Sequence, residues 1–209
     1  MAKNIDPKLR KIGDYLKLDG SSIFSIPEYQ RAYSWGRAQC DKLWQDITAF
    51  IDSDGSDPYF FGTIIVNCLD NDKALSLIDG QQRTTTFLLL LKALLIRLIK
   101  AVDETARDGD SEALNDGLKA KRNSIMKILY KVDDEDISDI LKDFRKVKGR
   151  TILENRSINE LYKDEPNRIF EAADFFAAER TVTKIPYKQK DNKFTAYFRN
   201  FKFEVVKIS

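Results

Sequence analysis

The sequence contains no histidine among its 209 residues. This absence excludes a Ser-His-Asp or Cys-His nucleophilic centre, and a histidine-ligated zinc site, built from these residues alone. It also excludes a nuclease centre in which histidines flank a metal ion. Any catalysis by this polypeptide must therefore use carboxylates, arginine, lysine, tyrosine or backbone amides.

Cysteine is scarce as well, and long apolar runs are missing. Cys40 and Cys68 stand far apart with no CxxC spacing, so neither a disulfide framework nor a zinc knuckle is indicated. The N-terminus is polar, and the most apolar run, residues 87–99, is interrupted by Lys92 and Arg97. We therefore expect a cytoplasmic protein without a secretion signal or a membrane span.

The common phosphate-binding motifs are also absent, because no GxxxxGK(S/T) loop and no GxGxxG after a strand occurs. This disfavours the ordinary nucleotide-binding folds. Charge is balanced, with 35 Lys+Arg against 33 Asp+Glu and a net charge of +2. Such a balance argues against a surface covered with basic residues, yet it leaves room for a local basic patch. Nucleic-acid binding is neither required nor excluded.

The hydrophobic pattern predicts an α+β fold, and 43% hydrophobic residues are enough for a core. In the first half, helices are predicted over residues 7–17, from Arg37 to about 52, and over 84–102. Strands are predicted over 22–26, 59–69 and 74–78, the last two forming an antiparallel hairpin. Residues 28–35 are expected to be irregular, because Pro27 follows the first strand.

The second half has a different character, with a polar stretch at residues 104–110. Helical patterns follow over 112–131, 137–147 and 166–180, and the alternating segment 201–208 predicts a final strand. We expect a core over residues 1–102 and a helical appendage over 103–209 that ends in a returning strand. A chain that stops in an open strand suggests that the protein continues beyond residue 209.

The aromatic loop, residues 26–35, is the first candidate for binding. It combines aromatic, amide and guanidinium side chains: Tyr29, Gln30, Arg31, Tyr33 and Trp35. Arginine and glutamine donate to phosphates or base edges, while aromatic faces stack on bases. The alternative is structural, with the aromatic residues as core anchors and Arg31 paired to Glu28 or Asp46.

The second candidate is the polar run that begins at Asp79, between a predicted strand and the most apolar helix. A helix N-terminus leaves amides unpaired and carries partial positive charge, so it attracts anions. Gly80 permits close backbone approach, and Arg83 adds a planar donor. Asp79 stands where a carboxylate can hold Mg²⁺ on a triphosphate. The alternative is a capped helix start with Asp79 or Thr84 as the cap.

A basic run in the second half, residues 142–150, is next to an acidic one, residues 133–136. A solvated charged face accounts for both runs without any ligand. The basic run is nevertheless the place where this half of the chain would contact DNA.

Two motifs taken together resemble the GmrSD restriction endonuclease N-terminal domain family: Ile26-Pro27-x-Tyr29-Gln30-Arg31-x-Tyr33-x-Trp35 and Asp79-Gly80-Gln81-Gln82-Arg83-x-Thr85. Trp44-x-Asp46-Ile47 and Phe61-Gly62-Thr63-Ile64 match the family pattern in the same order. The resemblance implies a ParB-like core, similar to the ParB and sulfiredoxin-like α+β fold, with nucleotide binding and hydrolysis at the Asp-Gly-Gln-Gln-Arg loop. It implies a bacterial restriction or phage-defence role, sensing modified DNA beside a C-terminal His-Asn-His nuclease domain. This histidine-free chain is not that nuclease.

The leading hypothesis is therefore a nucleoside triphosphate site that uses Mg²⁺ and hydrolyses or senses the nucleotide. Asp79 and Arg83 are the candidate catalytic residues, with Asp79 also the metal ligand. The remaining candidates would cradle the phosphates or close the site: Gly80, Gln81, Gln82, Thr84 and Thr85, with Tyr29, Gln30 and Arg31 from the facing loop. The alternatives are a non-hydrolytic DNA-recognition module and a motif that only holds two halves of the domain together.

Overall fold

A computed structural model describes residues 5–18, 22–31, 33–52, 59–69, 74–107, 112–143 and 202–208. Its strands are β1 (Ile5–Lys11), β2 (Ile23–Ser25), β3 (Phe60–Leu69), β4 (Ala74–Asp79) and β5 (Lys202–Ile208). Its helices are α1 (Ile12–Leu16), α2 (Arg37–Asp52), α3 (Gln81–Arg107), α4 (Glu112–Tyr130) and α5 (Asp134–Lys142). The predicted α+β class is confirmed.

The described strands form one mixed sheet in the order β1-β5-β3-β4-β2. β3 and β4 form the predicted antiparallel pair, while β2 runs parallel to β4. β5 comes last in the chain but lies between β1 and β3, antiparallel to the first and parallel to the second. Segments from both halves of the sequence therefore build the same sheet.

The predicted helix over residues 7–17 is wrong over its first half. Residues up to Lys11 form β1, whose backbone pairs with β5 from Ile5↔Ile208 to Lys11↔Lys202. Leu9 is 62% exposed instead of lying on a buried helix face. The distant strand β5 supplies hydrogen bonds that a local periodicity does not reveal, and an edge strand tolerates Pro7.

Two other helices differ from their predicted bounds. α3 begins at Gln81 and extends to Arg107, so part of the polar stretch is helical. In this part of α3, the Val102 carbonyl and the Thr105 hydroxyl accept hydrogen bonds from the buried Asn115 side chain of α4, at 2.9 Å and 2.7 Å. α5 begins at Asp134 and ends at Lys142, because an acidic first turn complements the helix dipole. The predicted helix over 166–180 lies outside the described residues.

Strands β2–β4 and the other helices pack around α3, and their apolar side chains form the core. α2 buries Cys40, Leu43, Ile47 and Phe50, whose spacing places them on one face of the helix. α3 is buried at every position from Thr84 to Ala93, so it packs on several sides. Residues of β3, β4, α4 and α5 belong to the same apolar cluster. No helix in the described ranges is long and apolar enough to cross a membrane.

Two buried tyrosines, Tyr15 and Tyr130, and the partly buried Tyr33 make the stability of this core depend on pH. Burial raises the pKa of Tyr15, Tyr33 and Tyr130 above the ordinary value of 10.0. The Tyr15 hydroxyl shares a 2.9 Å hydrogen bond with that of Thr84, and Lys92 donates to Tyr130 at 2.7 Å. These phenols stay neutral in the folded protein at a pH at which the unfolded chain ionises.

Because of these tyrosines, we expect the free energy of unfolding to fall in alkali. Their contribution is complete below pH 10, and each is expected to cost about 1.4 kcal/mol per pH unit above it until the folded group also ionises. The check is denaturant unfolding between pH 8 and 11 for wild type and Tyr15→Phe. The variant should show a shallower fall, and identical slopes would contradict burial of a neutral Tyr15.

Candidate functional site

The candidate site is the β4–α3 junction, where Asp79 ends the strand and Gly80 connects it to the helix. Gly80 has φ +89°, a left-handed conformation that favours glycine. The Thr84 amide donates to the Gly80 carbonyl at 2.9 Å and makes the first bond of the helix. The amides of residues 81–83 consequently have no acceptor within the helix. A helix start carries partial positive charge, and anion binding at this one stays a prediction.

Two glycines let this junction approach β3. A Cβ on Gly80 would lie 2.8 Å from Ile64 Cγ1 and 3.2 Å from Ile64 Cα, which is too close for a side chain. A Cβ on Gly62, whose φ is +102°, would lie 3.3 Å from Arg83 Nη1 and 3.5 Å from its Cζ. Gly80 therefore places the start of α3 against the sheet, and Gly62 makes room for the guanidinium.

Arg83 lies between the junction and β3. Its Nη2 donates to the Thr63 carbonyl and stands 3.6 Å from Asp79 Oδ2. Its Nε is buried without a hydrogen-bond partner among the described residues. The Arg83 and Asp79 side chains are 30% and 63% exposed, so their ion pair contributes little to stability. The partly exposed Arg83 side chain is within reach of a ligand, whereas its buried Nε is not.

Gln81 joins the aromatic loop to the junction. It is 7% exposed, and its Nε2 donates to the Arg31 carbonyl at 2.9 Å and to Gln30 Oε1 at 3.2 Å. Gln30 Nε2 in turn donates to the Ile78 carbonyl at 2.7 Å. Both N–H groups of the Gln81 side-chain amide therefore bind acceptors inside the protein.

Gln82 and Thr86 make the next contacts with the same loop. Gln82 Oε1 accepts from the Ser34 amide at 2.8 Å, and the Thr86 hydroxyl shares a 2.7 Å hydrogen bond with that of Tyr33. The Thr84 hydroxyl donates to Gly80 while sharing its bond with Tyr15. Thr85 is also buried. The motif side chains therefore hold the loop against α3, and the exposed groups left for a ligand are Asp79 and Arg83.

The structure separates the loop residues into two groups. Tyr33 and Trp35 pack against the core, as core anchors would. Tyr29 is 74% exposed, and the side chain of Arg31 is exposed as well, while its carbonyl contacts Gln81. Asp46, one suggested partner of Arg31, is paired with Lys42 at 2.8 Å.

An aromatic cleft beside Arg83 was missed by the sequence analysis. Its volume is about 450 Å³, and five aromatic residues line it together with Arg83: Trp35, Tyr59, Phe60, Phe61 and Phe87. The signal in the sequence was the run 59–61 immediately before Gly62. That run was interpreted only as a buried strand, although Phe60 is 56% exposed.

Among the described residues, no cluster of three or more His, Cys, Asp or Glu side chains can hold a metal ion. Asp79 is a single exposed carboxylate beside a helix N-terminus. This donor suits Mg²⁺ that arrives with a nucleotide, because that ion takes one or two carboxylates and completes its shell with phosphate oxygens and water. It does not suit a metal held by protein ligands alone.

The surroundings of two glycines predict opposite effects of alanine substitution on stability. Gly80→Ala should lower the free energy of unfolding by roughly 2 to 5 kcal/mol, from left-handed strain and overlap with Ile64. Gly117→Ala is the matched control, because a Cβ at this helical position meets nothing within 4 Å. The control should stabilise by about 0.5 to 1 kcal/mol. Denaturant unfolding measures both, and equal effects would contradict the close approach at Gly80.

Comparison with known protein families gives one match that covers most of the chain. The model of a family described as GmrSD restriction endonuclease, N-terminal domain, matches residues 12–208. The match includes the aromatic loop, the β4–α3 junction and the aromatic cleft. A comparison with curated proteins found no match.

Proposed function

Because the chain belongs to the GmrSD restriction endonuclease N-terminal domain family, we propose that it binds a nucleoside triphosphate with Mg²⁺ at the β4–α3 junction. Membership makes the chain a component of a restriction or phage-defence system. The observation that carries the proposal is the start of α3, an N-terminal turn with partial positive charge beside the partly exposed side chain of Arg83.

The phosphates are the part of the ligand that this junction suits best. Amides at a helix N-terminus bind anions through hydrogen bonds and the helix dipole. Arg83 adds charge-assisted hydrogen bonds from a planar guanidinium. Gly80 is buried against Ile64, so in the proposal it contributes by placing the first turn of α3. Gln81, Gln82, Thr84 and Thr85 support this site by fixing the first turn, since the hydrogen bonds above commit the first three of them internally.

Hydrolysis needs only positioning and charge stabilisation, which carboxylate, arginine and amide groups supply without histidine. In the proposal Asp79 holds Mg²⁺ or orients water, and Arg83 stabilises charge on the transferred phosphate. The exposed Arg31 side chain closes the site from the aromatic loop, and Gln30 holds that loop against the junction through Ile78 and Gln81. The nucleotide state would then regulate a C-terminal nuclease domain in the full-length protein.

The first test is a thermal-shift titration with the four ribonucleoside triphosphates, with and without Mg²⁺. At about 100-fold excess over Kd, binding should raise the melting temperature by roughly 5 to 10 °C. Arg83→Ala should remove the shift, while Lys142→Ala, which removes one exposed positive charge on α5, should keep it. A folded wild type that shows no shift with any nucleotide would refute the proposal.

The roles of Asp79 as a Mg²⁺ ligand and of Arg83 as a phosphate donor can be distinguished in the same assay. Asp79→Asn should abolish the Mg²⁺-dependent part of the shift and retain a weaker shift without Mg²⁺, because the phosphate donors remain. A loss of stability in Arg83→Ala with an unchanged nucleotide shift would instead support a purely structural motif.

A DNA-recognition module remains the second candidate, and the exposure of Tyr29 and the Arg31 side chain favours it. Lys142 pairs with Asp139 at 3.4 Å on α5, and residues 144–150 of the basic run lie outside the described residues. DNA binding at the aromatic loop should weaken steeply between 50 and 200 mM salt, by roughly tenfold for every two phosphates contacted. Tyr29→Ala should reduce it further. DNA affinity that is insensitive to both changes would exclude this role.

A further inference from the structure

The aromatic cleft has the dimensions and lining of a small-molecule site. Its volume of about 450 Å³ lies within the usual range for ligand pockets. Three of its rings are in contact: Tyr59 and Phe61 have centroids 4.5 Å apart, and Phe61 meets Phe87 edge-on at 5.3 Å. Each ring is held by its neighbour, so the cleft offers a preformed apolar surface.

The same cleft carries a hydrogen-bond acceptor. Asp46 is 25% exposed and accepts from Lys42 Nζ at 2.8 Å. Burial is the larger cause that raises the pKa of Tyr59, and a hydrogen bond with Asp46 raises it as well. The phenol therefore stays neutral and donates to that carboxylate. An ionised carboxylate has about four acceptor positions. Lys42 and Tyr59 occupy two of these acceptor positions on Asp46, and the others are available to a ligand.

Arg83 connects the cleft to the phosphate site. Its guanidinium lines the cleft, and its own backbone amide belongs to the first turn of α3. Arg83 thus belongs to both places, and a ligand whose phosphates bind that turn can extend along this side chain into the cleft. A flat ring with N–H donors matches both the rings and Asp46, and a nucleobase has this combination.

We propose that the aromatic cleft is the base-binding subsite, with the base against the rings of Trp35 and Phe61 and its N–H donors on Asp46. This inference rests on the nucleotide binding proposed above. It makes Asp46 a residue that recognises the nucleoside, whereas Arg83 and the amides of α3 recognise the phosphates.

The two tryptophans of the chain allow a direct optical test. Trp35 lines the cleft, whereas Trp44 is not among its lining residues. In Trp44→Phe, where Trp35 is the only tryptophan, a saturating nucleoside triphosphate should quench emission by roughly half through stacking. In Trp35→Phe the emission of Trp44 should change little. Inorganic tripolyphosphate with Mg²⁺ should bind without quenching either variant.

The outcomes distinguish this inference from the function on which it rests. A nucleotide thermal shift without quenching of Trp35 would overturn the base subsite and leave phosphate binding intact. Absence of any thermal shift, with tripolyphosphate as well, would refute both. Quenching of Trp44 alone would place the base elsewhere and overturn the inference.

Asp46→Asn tests the polar half of the subsite. The substitution should weaken nucleoside triphosphate binding about tenfold, because the charged acceptor is lost. It should leave tripolyphosphate binding unchanged, since that ligand has no base. Asp41→Asn is the matched control: Asp41 lies on the same helix, accepts from Gln45 at 2.8 Å and is not part of the cleft. Equal weakening of both ligands by Asp46→Asn would overturn its assigned role.

Discussion

The close approach of Gly80 to Ile64 is the constraint on which the site depends. Without a side chain at residue 80, the end of β4 can turn into α3 while touching the neighbouring strand. This places the first turn of α3 and the guanidinium of Arg83 at the surface of the sheet, where Gly62 leaves space for it. A side chain at residue 80 would push the helix end away from β3, and one at residue 62 would displace the guanidinium of Arg83.

The buried polar side chains of the motif serve this arrangement. An isolated helix start frays, but here Gln81, Gln82 and Thr86 bind the aromatic loop across the first two turns of α3. Polar groups buried in this way cost free energy unless they are hydrogen-bonded, so the network specifies one geometry. The same residues therefore maintain the fold directly and the ligand site indirectly. A preorganised helix end is what phosphate binding requires.

The sequence was most informative where the signal is local. The apolar stripe of α2, the β3–β4 hairpin and the polar start of α3 follow from spacing and turn residues. It failed where a distant segment decides: β1 is a strand because β5 pairs with it. The cleft was also hidden, since α2, β3 and α3 come together only in the fold. Residues 79–83 were found by motif and position, but spacing could not show that Gln81 faces inward and Asp79 outward.

The central claim is that the N-terminal turn of α3 holds phosphate. Amide chemical shifts of Gln81, Gln82 and Arg83, followed by NMR during titration with Mg²⁺ and a nucleoside triphosphate, test it most directly. The account predicts large saturable shifts at these three amides and small ones at Glu112 and Ala113, which begin α4. Unchanged amides at residues 81–83, in a sample whose other resonances show nucleotide binding, would contradict it.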